Sequence, residues 1–312
     1  MSTEVSAAER PLRGSGRELR GRSESASRKL RNTLATIVMW GAFLVALIPL
    51  IWIMWTVLSK GFSTMLDIVW WQKDQSGVGA AGFDKMIRGA RHAIVGTLLM
   101  SIATSIIAVP LAVFTAIYLV EYGRGKLARA ISFMVDILSG VPSIVAALFI
   151  YAVWVTTFGW RLMPVACSLA LALLMIPVVT RSTEEMLKLV PNELRDASYA
   201  LGVPKWKTIV KVVLPTSFSG ILTGVLLGFA RVAGETAPLL LLANYTPFLQ
   251  QNLFSGNGMA ALPTLINANV QFMSADKISA DRVWGAACTL ILIVLAINLL
   301  GRLVGRFTKV KN

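Results

Sequence analysis

The chain has 312 residues, 55% of them hydrophobic, a mean hydropathy of +0.68 and a formal net charge of +14. So apolar a chain is no ordinary soluble protein, and its length holds several membrane spans of about 20 apolar residues each. Its long unbroken apolar runs exclude the alternating pattern of a transmembrane β-barrel, and its charge lies in short segments between those runs, which argues against a nucleic-acid role.

Residues 1–31 are rich in Arg, Ser and Glu and poor in large apolar groups, which predicts a disordered basic tail. The tail is too long and too polar to open a cleaved signal peptide, so the first apolar run reads as a retained anchor. Six spans follow, at roughly 34–58, 93–120, 130–157, 164–180, 217–242 and 284–301. In lipid the backbone must satisfy its own polar groups, so these spans are expected to be helices and residues 32–312 an all-α, six-helix integral membrane domain. Of the 30 Lys and Arg, 21 fall in the tail, in the even-numbered connections and after span 6; eight fall on the opposite side, and Arg231 lies inside a span. The positive-inside rule then puts both termini in the cytoplasm.

The outer loop 59–92 holds Trp70 and Trp71, expected in the headgroup belt, and ends at His92, expected at the interface. Pro110 sits within span 2, where neighbouring helices can re-satisfy the freed carbonyl. The turn Glu121-Tyr-Gly-Arg-Gly-Lys126 looks like a phosphate loop but lacks the required spacing and follows no strand. No Walker A motif occurs anywhere, so ATP-driven transport would need hydrolysis in another chain. Span 3 carries Ser139-Gly140-Val141-Pro142-Ser143. This fits either a packing kink or a helix broken at membrane depth, with Pro142 opening a half-helix whose free N–H groups attract anions. Asp136, about two turns earlier, is assigned no role. Cys167 and Cys288 lie in apolar segments without a Cys/His cluster, so no metal site is expected.

The inner loop 181–216 is charged and helix-prone. Residues 183–190 suit a short amphipathic helix ending near Pro191, and Asn192 is placed to cap a second one. Gly202 and Pro204 would stop that helix, and Lys205 to Val213 would return as a basic amphipathic helix, making a compact knob. Span 5 then carries a small-residue ladder at Gly220, Gly224 and Gly228. Beyond it come Arg231 and Glu235, spaced i, i+4 and therefore able to pair, and Pro238, which should break the helix just after Glu235. A mid-bilayer charge costs roughly 2.5–3.5 kcal/mol on insertion scales, so such residues face a partner, a bundle interior or a water path. Two readings fit: an ion pair that locks span 5 in place, or a gate in which Arg231 meets an oxyanion with its forked donors and Glu235 holds it when the path is empty. The sequence favours the second.

Asp196-Ala-Ser-Tyr-Ala-Leu-Gly202, nine residues, then Val212-Val-Leu-Pro215 resembles the E-A-A-x3-G-x9-I-x-L-P loop of ABC-importer permeases. Asp196 stands for Glu and Ser198 for the second Ala; Ala197, Gly202, Leu214 and Pro215 match. The resemblance implies that the knob is a coupling helix seated in a cleft of an ATPase, with Asp196, Ala197, Ser198, Tyr199, Gly202, Leu214 and Pro215 as coupling residues. Ala230-Arg-Val-Ala-Gly-Glu-Thr-Ala-Pro238-Leu and Gly140-Val-Pro-Ser143 resemble the phosphate-specific, PstA-type branch of that family, over the chain from about residue 34 onward. That implies a type I ABC importer permease of the plasma (inner) membrane that performs no bond chemistry and binds no cofactor. It also implies a PstC-like second permease, a PstB-like ATPase pair holding ATP and Mg, and a PstS-like phosphate-binding protein outside. Phosphate would pass Arg231, Glu235, Thr236, Gly140, Pro142 and Ser143 by alternating access. Rival readings are a permease for sulfate, molybdate or phosphonate, an ion-coupled secondary transporter, which predicts an inverted repeat, and a signalling or scaffolding subunit.

Overall fold

A computed structural model describes residues 26–76 and 89–307; the tail expected to be disordered lies outside them up to residue 25. All regular structure among the described residues is helical. The chain divides into two units, Met1–Met54 and Trp55–Asn312. In chain order the helices are α1 (Ala26–Leu66), α2 (Ile68–Gln72), α3 (Arg91–Ile117), α4 (Gly125–Gly140), α5 (Ser143–Tyr151), α6 (Pro164–Lys188), α7 (Asn192–Ala200), α8 (Lys205–Thr208), α9 (Leu214–Gly234), α10 (Ala237–Leu242), α11 (Leu262–Val270) and α12 (Lys277–Phe307). Wider π-turns extend α3 through Tyr118–Tyr122 and α5 through Ala152–Thr157, and Ile209–Val213 joins α8 to α9.

Among the described residues five helical rods are long and apolar enough to cross a membrane, and α4 with α5, bent by 106°, makes a sixth where the pair counts as one span. Helices lie at all six expected positions, but their limits differ. Helix α1 starts at Ala26, inside the expected tail, and runs on to Leu66. Its 41 residues rise about 60 Å, twice a bilayer core. Helix α6 does not stop at residue 180; it absorbs the separate amphipathic helix expected at 183–190. Arg181 and Lys188 pair with Glu184 on the same face, at 2.9 and 3.5 Å, while Thr183 and Leu187 are buried. Those pairs let the helix continue past the end of its apolar run. Similarly, α12 extends past both ends of the expected 284–301. Asp136, assigned no role, holds Arg181 at 2.5 Å and so ties α4 to α6.

Helix α6 is the axis of the larger unit and packs against α3, α4, α5, α9 and α10. Along α3, Thr104, Ala108, Ala112 and Ala116 recur every fourth residue and are fully buried. Hydroxyls stitch the seam: Thr104 Oγ1 reaches the Ser168 carbonyl at 3.2 Å and Thr180 Oγ1 the Ala112 carbonyl at 3.4 Å. On the opposite flank the glycine ladder of α9 meets α6. A Cβ at Gly220 would collide with Met186, at Gly224 with Ser182, and at Gly228 would press on Val179 at 3.0 Å. The expected close packing is present, with α6 as the partner.

At the end away from α7, two interfacial expectations are overturned. Trp70 is fully buried and its Nε1–H donates to Thr289 Oγ1 at 2.9 Å. His92 is buried beside Tyr245, whose hydroxyl donates to Gln75 Oε1 at 2.7 Å. Only Trp71 stays partly exposed. This cluster anchors the 243–261 segment, with the Leu249 N–H donating to Asp74 Oδ2 at 3.0 Å. Burial alone would raise the Asp74 carboxyl; hydrogen bonds from the Ser76 side chain and from the Leu249 and Ser76 amides outweigh it and hold the group below the usual carboxylate range. Burial pushes Tyr245 up to about 12, so it stays a donor at neutral pH.

Gly224→Val should wedge α9 off α6 and cost about 1–3 kcal/mol, read as a lower thermal midpoint of the purified protein in detergent. Gly140→Ala, where a Cβ meets nothing within 4 Å, should leave the midpoint in place. Equal midpoints for the two variants would mean that α9 and α6 do not approach this closely.

Candidate functional site

The chain organises two polar regions at opposite ends of one rod. Helix α8, the π-turn and α9 form a single apolar span, Lys205–Gly234, about 45 Å long. One end carries a knob and the other a broken helix with an ion pair.

The knob opens at Pro191, whose backbone takes the extended N-cap conformation at φ −57°, ψ 141°. Asn192 is therefore not the cap that was expected; it is the first helical residue, and its Oδ1 accepts from Arg195 at 3.4 Å. Gly202 ends α7 as predicted, at φ +74°, a left-handed conformation that favours glycine. The chain reverses there and Pro204 caps α8. Asp196, Ala197, Tyr199 and Gly202 are exposed on the knob. Ser198 turns inward, and its Oγ lies 2.8 Å from Thr208 Oγ1 in a buried contact that clamps α7 to α8. The residue that departs from the Ala of the family motif thus adds a hydrogen bond inside the joint. Leu214 and Pro215 lie off the knob, on the shaft. They line an apolar groove with Val109, Val113, Phe218 and Ile221 on the flank facing α3. Sequence reasoning missed two large apolar groups on the knob, Leu201 at 83% and Trp206 at 59% exposure. The signal was their place in the turn and the return helix, outside any apolar run.

At the far end α9 stops at Gly234, several residues short of the expected 242. Glu235 leaves the helix with extended backbone at φ −67°, ψ 139°. Pro238 sits in the first turn of α10, where its missing N–H costs nothing, so the break falls where the sequence placed it. Arg231 Nε and Glu235 Oε1 are 3.5 Å apart, with side chains 44% and 18% exposed. The i, i+4 pair thus forms although its second member is outside the helix. Among the described residues Arg231 has no other hydrogen-bond or charged partner, which leaves most of its donors open. Thr236 stands between Glu235 and α10 and is partly buried.

Span 3 is broken rather than kinked. Helix α4 ends at Gly140, Pro142 caps α5 at φ −60°, ψ 140°, and Ser143 is its first residue. Gly140 and Pro142 are exposed, and α5 packs against α6 and α10. The two breaks, one in span 3 and one in span 5, therefore lead into a shared pair of helices, α5 and α10. No hydrogen bond or ion pair joins Gly140, Pro142 or Ser143 to Arg231 or Glu235.

The bundle has the fold of the membrane subunits of ABC importers. It superposes on a chain of a bacterial alginate ABC transporter with a TM-score of 0.63 at 14% identity, covering 91% of this chain and 97% of that one. On a chain of the MetNI methionine ABC transporter the TM-score is 0.54 at 19% identity, covering 71% and 95%. Residues 108–309 match the family of binding-protein-dependent transport system inner membrane components, and the chain belongs to that family. It is 49% identical to the phosphate transport system permease protein PstA of Mycobacterium leprae, over 89% of each chain. It is 38% identical to the protein of the same name from Yersinia pestis, over 93% of this chain and 95% of that one.

Ser198→Ala should loosen α7 on α8 by about 1 kcal/mol, and amide exchange over 197–203 should quicken roughly fivefold. Unchanged exchange would mean that the Ser198–Thr208 contact contributes nothing to the knob.

Proposed function

We propose that this chain is the membrane-spanning permease subunit of a phosphate importer, working by alternating access and driven by ATP hydrolysis in a partner chain. Phosphate is the substrate named for the mycobacterial and Yersinia relatives. The observation that carries the reading is Arg231, a permanent cation with open donors in the last turn of a rod whose other end is the exposed knob. A guanidinium fork matches two oxygens of a phosphate, and the carboxylate of Glu235 holds it when no anion is present. In this reading the knob faces the cytoplasm with both termini and seats in a PstB-like ATPase that binds ATP and Mg. A PstC-like permease completes the path, and a PstS-like protein delivers phosphate outside. Thr236, Gly140, Pro142 and Ser143 belong to the breaks that line the path.

Labelled phosphate uptake at low concentration tests this in cells lacking the gene, complemented with wild type or Arg231→Gln. Wild type should restore uptake that excess sulfate and molybdate do not compete away. Arg231→Gln, still assembled in the membrane, should lose about ten- to a hundredfold, the worth of one charge-assisted contact. Uptake that survives deletion in a strain without another phosphate importer would overturn the substrate, and full activity of Arg231→Gln would remove Arg231 from the path.

A further inference from the structure

We propose that Arg195 is the joint through which the knob moves α3, with Glu121 as its seat there. This rests on the transporter reading above and deepens it. The motif that carries the resemblance does not include either residue. They lie 74 positions apart, yet their side chains meet with only 11% and 6% exposure.

Every nitrogen of the guanidinium is engaged. Nε and Nη2 donate to Glu121 Oε1 at 3.1 and 3.0 Å. Nη2 also donates to the Leu187 carbonyl at 2.9 Å, and Nη1 to the Val190 carbonyl at 2.5 Å. Glu121 belongs to the π-turn that closes α3, and Leu187 and Val190 are at the end of α6. One planar group in α7 therefore holds the ends of two membrane helices that already pack on each other. The same π-turn is held from the other limb of the knob. Lys205, the first residue of the long rod, donates to the Glu121 carbonyl and lies 4.6 Å from the Tyr122 ring.

A push on the knob then has covalent outlets at both limbs: α8 is continuous with α9 and carries the push to Arg231, and Leu189–Pro191 joins α7 to α6. The further outlet is ionic, through Arg195 to α3. Pulling Arg195 off Glu121 would strand a charge in a nearly dry site, so the joined ends follow the knob instead of letting go. Without that joint the knob would drive α6 and α9, and α3 would follow only through packing and the Lys205 contact. Lysine cannot stand in, because its three donors leave a single compact head and do not reproduce the planar fork that spans Glu121 and the Leu187 and Val190 carbonyls together.

The test uses the transporter purified with its ATPase. Amide exchange is followed with and without ATP, and labelled phosphate uptake per ATP hydrolysed is measured in proteoliposomes. In wild type, ATP should change exchange at both 192–208 and 118–122. Glu121→Ala cuts the α3 side while leaving Arg195 on the α6 carbonyls. It should retain the ATPase and the response at 192–208, weaken the response at 118–122 to what the Lys205 contact still carries, and lower phosphate moved per ATP about tenfold. Arg195→Lys should behave alike, and the double variant should be no worse than the poorer single, as two halves of one joint require. A response at 118–122 that persists at its wild-type size in both variants overturns the proposal, as do losses that multiply in the double variant. If wild type moves no phosphate while the exchange pattern stands, the substrate reading fails and the joint survives.

Discussion

The rest of the architecture depends on how closely α9 approaches α6. In lipid, apolar side chains gain nothing by leaving their surroundings, so helices associate through contact area and whatever hydrogen bonds they share. Gly220, Gly224 and Gly228 strip one face of α9 to backbone and let Met186, Ser182, Val179 and Met175 of α6 fill it. The contact runs for three turns, so the rod cannot tilt away without opening the whole seam and losing its dispersion energy. Helix α6 is held equally closely on its other side, by the Thr104 to Ala116 row of α3. Three membrane helices thus act as a stack, and the knob is attached to all three.

Two of the Arg–carboxylate pairs, at Arg195 and at Arg231, show how environment divides labour between identical groups. Arg195 is almost fully enclosed and its donors are spent on Glu121 and on the last carbonyls of α6. A buried charge saturated in this way is expensive to disturb and offers nothing to a ligand. Arg231 has one long contact at 3.5 Å and remains 44% exposed. Its position in the final turn of α9 also sets a cation against the negative end of the helix dipole, which offsets part of the cost of a charge at that depth. A saturated pair resists separation, and an unsaturated one keeps donors open.

Which features were legible in the sequence follows from how local they are. The six spans rest on run length, and the Arg231–Glu235 pair, the glycine ladder and the Gly202 stop each involve residues within a few turns. The errors involve partners far away in the chain. Trp70 read as a headgroup residue because nothing nearby says that Thr289 waits for its N–H. His92 was placed at the interface for the same reason; Tyr245 lies 153 positions on. Span 4 was cut at residue 180 because charge begins there, although those charges neutralise one another along one face of a continuing helix. The Glu121 and Arg195 joint was invisible as a pair, but Glu121 carried a hint: an acidic residue directly after an apolar run, with basic residues following, has reason to be paired.

The break at the end of α9 turns these connections into a device. Helix α10 is anchored, with Pro238, Leu239 and Leu242 buried in the core. A displacement of α9 that leaves α10 in place has to be taken up between Gly234 and Ala237, the residues with no helical hydrogen-bond ladder to resist it. Arg231 moves with the rod, whereas Glu235 is the first residue outside it. The ion pair therefore straddles the break in the helix. A kink would have spread the same motion over a turn of helix and left the pair intact. The extended backbone at Glu235 concentrates it beside the ion pair.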